Sequence, residues 1–384
     1  MRARALIVAA LAAACSSSDG AAQRVDIDTV PAARTALRAP ALEGRLSAPE
    51  GFTVSYFARL DGPRVMALGP DGAVYVSQPG AGRVMRLTDA DGDGDADGQQ
   101  VAVSGLDQPH GLAFHGGWLY VANTRGVVRV RLGAHGIAAG EPERLNRYDG
   151  GSGHSTRTIA FGPDSMMYVS IGSSCNLCEE RAPERATVMQ YDADGGHGRV
   201  YSSGLRNAVG VAVHPVTGEI WVSTHERDNI RPDHENLPPE EIDILKDGGD
   251  FGWPYCHSDR VPNPEFHDQA RCDRTLPPAL KLQAHSAPLG LAFLDGATMF
   301  PAEYRDDALL ALHGSWNRSV PTGAKVVRVH VENGRPVSYE DFISGWQDAN
   351  GHRWGRPAGV LVARDGSVLI SDDSGGAIFR VSRK

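Results

Sequence analysis

Short apolar runs recur along the chain in pairs, each pair joined by a tight turn rich in Gly, Pro and Asp. Six pairs stand out: VMALGPDGAVYVSQ, GLAFHGGWLYVAN, TIAFGPDSMMYVSIGS, GVAVHPVTGEIWVSTHE, GLAFLDGATMF with DDALLALHGS, and GVLVARDGSVLISDD. Apolar runs of this length bounded by turn formers predict strands. A third strand follows each pair, reading RVMRL, VVRVRL, TVMQY, EIDIL, KVVRVHV and AIFRV. A strand-rich unit repeating every ~45 residues predicts a β-propeller. The fold expected is all-β, with six blades of four antiparallel strands.

The last unit runs out at Lys384 after three strands, while FTVSYFARL at Phe52–Leu60 precedes the first unit. That early strand is expected to supply the missing outer strand and close the ring, which removes an open sheet edge. The interval Asp228–Gln283 is longer than the others, rich in Pro, and holds two cysteines. It is expected to be a long ordered loop rather than a blade.

Composition narrows the function. The 45 Gly and 24 Pro suit many short strands. A net charge of −9 and the absence of a Lys/Arg-rich run argue against nucleic acid as a partner. Arg2 and Arg4 precede an apolar stretch, Ala5–Ala14, that is too short to span a bilayer. Small residues then lead to Cys15 and the polar SSSDG, the pattern of a bacterial lipoprotein signal; an ordinary secretory peptide is the other reading. The expected organisation is a signal segment over 1–15 with Cys15 lipidated, a flexible tether over 16–45, and the propeller over 46–384. The protein is then exported to the periplasm or cell envelope, touching membrane only through the lipid.

Four cysteines remain, Cys175, Cys178, Cys256 and Cys272, an even count that reads as disulfides in an exported chain. Nearness suggests Cys175–Cys178 and Cys256–Cys272, although three connectivities are open. Glu179 stands where haem attachment to the first pair would need His. Asp89, Asp91, Asp93 and Asp97 fall at the spacing of an oxygen-ligand calcium loop, with Gln100 in place of the bidentate Glu. This stretch follows a third strand, so it belongs to the face opposite the residues considered next; a structural calcium loop and a solvated acidic turn both fit.

Strands in a blade alternate in direction, so residues before strand one and after strand two share a face. Before strand one stand Arg64, His110, Arg157, Arg206, His285 and Arg356. After strand two come Gln78, Asn123, Ser173, Thr224–Asp228, His313–Arg318 and Asp372-Asp373. Six blades aim these at one funnel, and converging cations there call for an anionic ligand, with Trp316 offering a flat wall.

At this point several motifs carry a family resemblance. HSTR at His154–Arg157 with FGPD, SSCNLCEE, GLRNAVG, HERDN with PPEEI, GGDFGWPYC, AHSAPLGLAF, FPAEYRDDALLALHGSWNRS and GRPAGV are similar to the sorbosone dehydrogenase branch of the soluble quinoprotein sugar dehydrogenases. The likeness runs from about residue 50 to the end. It implies a six-bladed propeller using pyrroloquinoline quinone (PQQ) and calcium, passing electrons on to an acceptor such as a cytochrome or quinone. It also implies roles. His154 would be the general base and Arg206 would polarise the quinone carbonyl, with Asn207 beside it. Arg64, Arg157, Trp316, Asn317, Arg318 and Arg356 would bind the cofactor. The turn Glu226-Arg227-Asp228 would hold the calcium, partly through backbone carbonyls. Two departures from the glucose dehydrogenases matter: Ser173 stands where they orient the His with an Asp, and Val209 stands where they carry Gln.

The substrate expected is a sugar or sugar aldehyde, of the aldose or sorbosone-like kind. Two other readings stay open. One is a calcium-dependent lactonase-type hydrolase, which would need Glu226, Asp228, Asp372 and Asp373 around an open metal. The other is a non-catalytic binding propeller tethered to the membrane.

Overall fold

The computed structural model describes residues 45–150 and 153–383. The signal segment, Cys15 and nearly all of the tether expected over 16–45 lie outside the described residues.

Six small antiparallel sheets follow one another around a ring. The first blade is Met66–Leu68, Val74–Gln78, Arg83–Thr88 and Gly98–Val103. The second is Leu112–His115, Trp118–Asn123, Gly126–Val130 and Glu143–Arg144. The third is Arg157–Phe161, Met167–Ile171, Thr187–Tyr191 and Arg199–Ser203. The fourth is Ala208–Val213, Ile220–Thr224, Glu240–Ile244 and Leu280–Leu282. The fifth is Pro288–Phe293, Ala308–Leu312, Lys325–Glu332 and Arg335–Ile343. The sixth is Pro357–Val362, Val368–Asp372 and Ala377–Arg383, with Phe52–Arg59 as its outer strand.

Ring closure is as expected: Phe52 pairs with Arg383 and Arg59 with Ala377, antiparallel. Second strands are buried on both faces, so they read as continuous apolar runs such as VYVSQ and ALLAL. Their side chains fill the spaces between blades, where Trp221 and Trp346 are fully buried.

First strands crowd the axis. A Cβ on Gly210 would lie 2.1 Å from the Leu289 carbonyl, and one on Gly290 would lie 2.8 Å from that of Ala358. Only glycine allows that approach. Blades are stitched there by polar groups: Gly111 N donates to Arg157 O at 2.9 Å, Ser173 N to Arg206 O at 2.8 Å, and Ser371 Oγ to Arg64 O at 2.6 Å.

The interval 228–283 does more than loop. It contributes the outer strand of blade four, and Gly249–Asp250 adds a fifth, parallel strand to blade three. Both expected disulfides are formed, Cys175–Cys178 and Cys256–Cys272.

Candidate active site

Residues preceding strand one and following strand two meet at one mouth of the ring, as strand direction requires. Two adjoining hollows open there. One, of about 120 Å³, is lined by His154, Arg206, His225, Glu226, Asp228, Glu240, His285 and Trp316. The other, of about 390 Å³, is lined by Arg64, His110, Ser155, Thr156, His313 and Asp373 among others. They meet along the segment His154–Thr156. A larger cavity, about 510 Å³, lies at the opposite face between blades one and six, where Asp71, Asp89 and Arg364 sit in the turns. It holds none of the residues that converge at the mouth.

His154 is the centre of the smaller hollow. Its Nδ1 lies 3.0 Å from both Ser173 O and Ser173 Oγ. The Ser173 hydroxyl itself donates to Cys175 O at 2.6 Å. Nδ1 therefore carries the proton, and Nε2 keeps the free lone pair. Burial pushes the His154 pKa down to about 4, and the Arg206 charge adds to this. The ring is neutral at neutral pH and able to accept a proton.

Gly172 makes this packing possible, since a Cβ there would lie 2.4 Å from Asn207 Oδ1 and 2.7 Å from His154 Cβ. Behind the loop, two arginines hold backbone oxygens. Arg185 Nη1 donates to His154 O and Gly172 O, each at 3.2 Å, and Nη2 to Asp149 O at 2.6 Å.

Arg157, expected in a cofactor site, is the second. It is fully buried, and its Nη1 donates to His154 O at 2.8 Å and Thr156 O at 2.7 Å. As first residue of its strand, its side chain turns inward and supports the base from behind.

Arg206 is also buried but lines the hollow. Its guanidinium donates to Asn176 O and Oδ1, each at 3.1 Å, and to Glu226 O at 2.7 Å. Its Nη2 lies 3.5 Å from Asp228 Oδ2. Asp228 also accepts from Asn317 Nδ2 at 2.8 Å and stands 3.4 Å from His285 Nδ1. The Glu226 carboxyl is pushed up to about 8 by burial, against the opposing pull of Arg206. Asn207 Oδ1, Glu226 Oε2 and Asn317 Oδ1 are buried without a protein partner. Unpaired buried oxygens are costly, and that of Glu226, which lines the hollow, marks a place where a ligand completes the bonding.

Other expected contributors are tied up within the protein. Arg227 forks onto Glu265 at 2.6 and 2.9 Å and reaches Asn263 at 3.1 Å, so its side chain is committed to the insert. Being a cation, it offers a metal only its carbonyl. Arg318 donates to Glu235 O and lies 3.5 Å from Asn236 Oδ1, also in the insert. Arg356 donates to His313 O at 2.8 Å and Gly314 O at 2.6 Å. Arg64 pairs with Asp373, which also takes His313 Nε2 at 2.9 Å. Trp316 is 76% exposed at the rim, as a free flat wall would be.

The four carboxylates a hydrolytic metal would need do not converge. Asp372 is fully buried and accepts from Trp346 Nε1 and the backbone of Arg356 and Gly375. Asp373 is taken by Arg64 and His313. Away from the mouth, Asp89, Asp91 and Asp97 bring carboxylate oxygens within 4.8 Å of one another. They also cap backbone N–H groups of their own loop, such as Gly92 and Ala90.

Three residues escaped the sequence reading. Arg185 precedes a third strand, a position on the same face that the strand-one rule leaves out. Glu240 opens another third strand and accepts from Glu226 N at 2.7 Å. Asn176 hides between two cysteines.

The chain is 24% identical over 415 aligned residues to a pyrroloquinoline quinone-dependent pyranose dehydrogenase of Coprinopsis cinerea, covering 90% of this chain and 56% of that protein. It spans 60% and 56% of the length of the curated relatives it matches first. Among solved structures it superposes on the holo form of the PQQ domain of Coprinopsis cinerea pyranose dehydrogenase with a TM-score of 0.74 at 24% identity, covering 88% and 97% of the two chains. A calcium structure of the Trichoderma reesei family AA12 enzyme gives 0.73 at 22% identity, covering 88% and 97%. At these identities the structural likeness speaks for the fold. A family model described as TrAA12-like matches residues 46–384, and the chain belongs to that family.

Proposed function

We propose that this chain is a PQQ- and calcium-dependent dehydrogenase of sugars or sugar aldehydes, exported and held at the cell envelope by a lipid on Cys15. One observation carries the reading. A neutral His154 with its Nδ1 committed to Ser173 shares a hollow with a buried Arg206 and with Glu226, whose Oε2 is buried without a protein partner. The relatives named above support the cofactor and the substrate class.

The residues present suit such a group. PQQ is a flat tricarboxylate ortho-quinone, so it needs cations, a stacking surface and a divalent ion. Arg206, Asn207, Asn317 and Trp316 would hold it, with Arg64 at the adjoining hollow. The Glu226–Asp228 turn offers carboxylate and carbonyl oxygens for calcium. When bound, PQQ supplies the two-electron acceptor that the side chains lack.

His154 Nε2 is placed to take a proton from a substrate hydroxyl, and Ser173 holds the ring in the tautomer that allows it. Arg206 provides fixed positive charge where negative charge develops, without solvent reorganisation. The supporting arginines, Arg157 and Arg185, keep the His154 backbone from moving as the proton arrives.

The test is a titration of purified protein with PQQ and calcium, followed by dye-linked oxidation across aldoses, other pyranoses and sorbosone. Binding and turnover with at least one sugar is the expected result. Absence of PQQ binding at micromolar concentration with calcium present would refute the proposal. Labelling of the envelope-bound protein by a radiolabelled fatty acid, lost in Cys15→Ala, checks the anchor.

A further inference from the structure

We propose that the disulfide-closed turn Cys175–Cys178 positions both reacting groups of the site, and that Asn176 is the positioning residue through which it holds Arg206 and Asp228. The proposal rests on the dehydrogenase reading for its kinetic test, but its structural test stands apart from it.

Asn176 uses every polar atom of its carboxamide and its own carbonyl on the site. Its Oδ1 accepts from Arg206 Nη2 at 3.1 Å and from Asp228 N at 2.8 Å. Its Nδ2 donates to Asp228 O at 3.0 Å. Its carbonyl accepts from Arg206 Nε at 3.1 Å and from Trp253 Nε1 at 3.2 Å. One residue thus takes both donors on one edge of the guanidinium fork and both backbone groups of Asp228. A planar fork gripped at two points cannot rotate about its long stem.

The same turn reaches the base. Cys175 O takes the Ser173 hydroxyl proton at 2.6 Å, which leaves the oxygen lone pairs for His154 Nδ1–H at 3.0 Å. Removing that acceptor would free the Ser173 hydroxyl to turn away, leaving the Ser173 carbonyl to hold the Nδ1 proton by itself.

What keeps so short a turn in place is covalent. Only two residues separate the bonded cysteines, so the ring they close leaves Asn176 little conformational freedom. From outside, Glu180 ties the turn down by accepting from Ser174 N at 2.6 Å and Ser174 Oγ at 2.7 Å. Cys175 and Cys178 are half-buried, whereas Cys256 and Cys272 are buried. A mild thiol reductant therefore reaches the first bond selectively.

Two readouts test this. Asn176→Ala is expected to speed hydrogen exchange of the Asp228 amide at least tenfold while amides of Met167–Ile171 stay protected. It is expected to lower kcat at least tenfold with KM for sugar changing less than threefold. Asn176→Asp keeps the acceptor and is expected to hold Asp228 exchange within threefold of the parent. Reduction of Cys175–Cys178 in the unmutated protein should speed Asp228 exchange in the same direction as Asn176→Ala. Should the unmutated protein lack PQQ-dependent turnover, the dehydrogenase reading fails and exchange alone judges the clamp. Asp228 exchange unchanged within twofold in Asn176→Ala overturns the proposal. If that variant does not fold, unchanged exchange after selective reduction does so.

Discussion

His154 donates from Nδ1 to Ser173, which stands within 3.0 Å through both its carbonyl and its hydroxyl oxygen. A serine does here what a charged carboxylate does elsewhere, orienting the ring without adding negative charge beside it. Ser173→Ala removes the hydroxyl and leaves the carbonyl. One neutral hydrogen bond is worth about 1 kcal/mol, so kcat should fall about three- to tenfold. A pH–rate profile measures it; a loss beyond about a hundredfold would show that the hydroxyl does more than orient.

His154→Ala should cost about 10²- to 10⁴-fold in kcat, the usual contribution of a general base, while leaving PQQ affinity within threefold. The unmutated protein should lose activity on acidification only as pH falls through about 4, where the buried imidazole takes its proton. Fluorescence titration and initial rates between pH 3.5 and 8 check both statements.

His110 predicts a stability effect with a definite sign. Burial first, and then the Arg64 charge, push its pKa down from 6.5 to about 3. Between those values the unfolded chain binds a proton that the folded chain refuses. Stability from this group is full above pH 6.5 and declines as pH falls towards 3. At pH 5 the loss is about 2 kcal/mol. His110→Asn, which cannot titrate, should show a smaller stability difference between pH 7.5 and 5 in urea unfolding.

Phe52 anchors the closing strand. Its ring meets Phe300, Tyr304 and Phe342 edge-on at 4.8, 5.4 and 5.2 Å. Phe52→Ala should destabilise by about 3–5 kcal/mol, seen as a lower denaturation midpoint with an unchanged slope. Deleting residues 50–60 should abolish cooperative unfolding altogether.

The blades were legible because a strand pair with a Gly/Asp turn recurs, and each recurrence reports the same local geometry. Closure was legible from the missing strand at the C-terminus. The outer strand Leu280–Leu282 was not, since three residues beside a Pro pair carry no period. The site was half legible. Topology tells at which end of a blade a residue lies, which brought His154 and Arg206 together correctly. It does not tell whether a side chain points to the hollow or into the packing, which is why the buried bonds of Arg157 to His154 O and Thr156 O were not legible. The strand EEIDI hid its lesson differently. All five of its residues are buried, Glu240, Glu241 and Asp243 among them. Burial pushes Glu240 and Asp243 each up to about 7 and Glu241 well above the carboxylate range. Acidic residues on both faces of one short strand were the available sign.

Among the described residues Phe52–Arg59 takes its strand partner from Ala377–Arg383, so a strand made early in synthesis waits for one made far later. Until Ala377–Arg383 has left the ribosome, the growing polypeptide carries an unsatisfied backbone ladder along Phe52–Arg59. A product terminated before Ala377 would keep that ladder bare and present it to any other nascent copy. Covering the early strand thus falls to Ala377–Arg383.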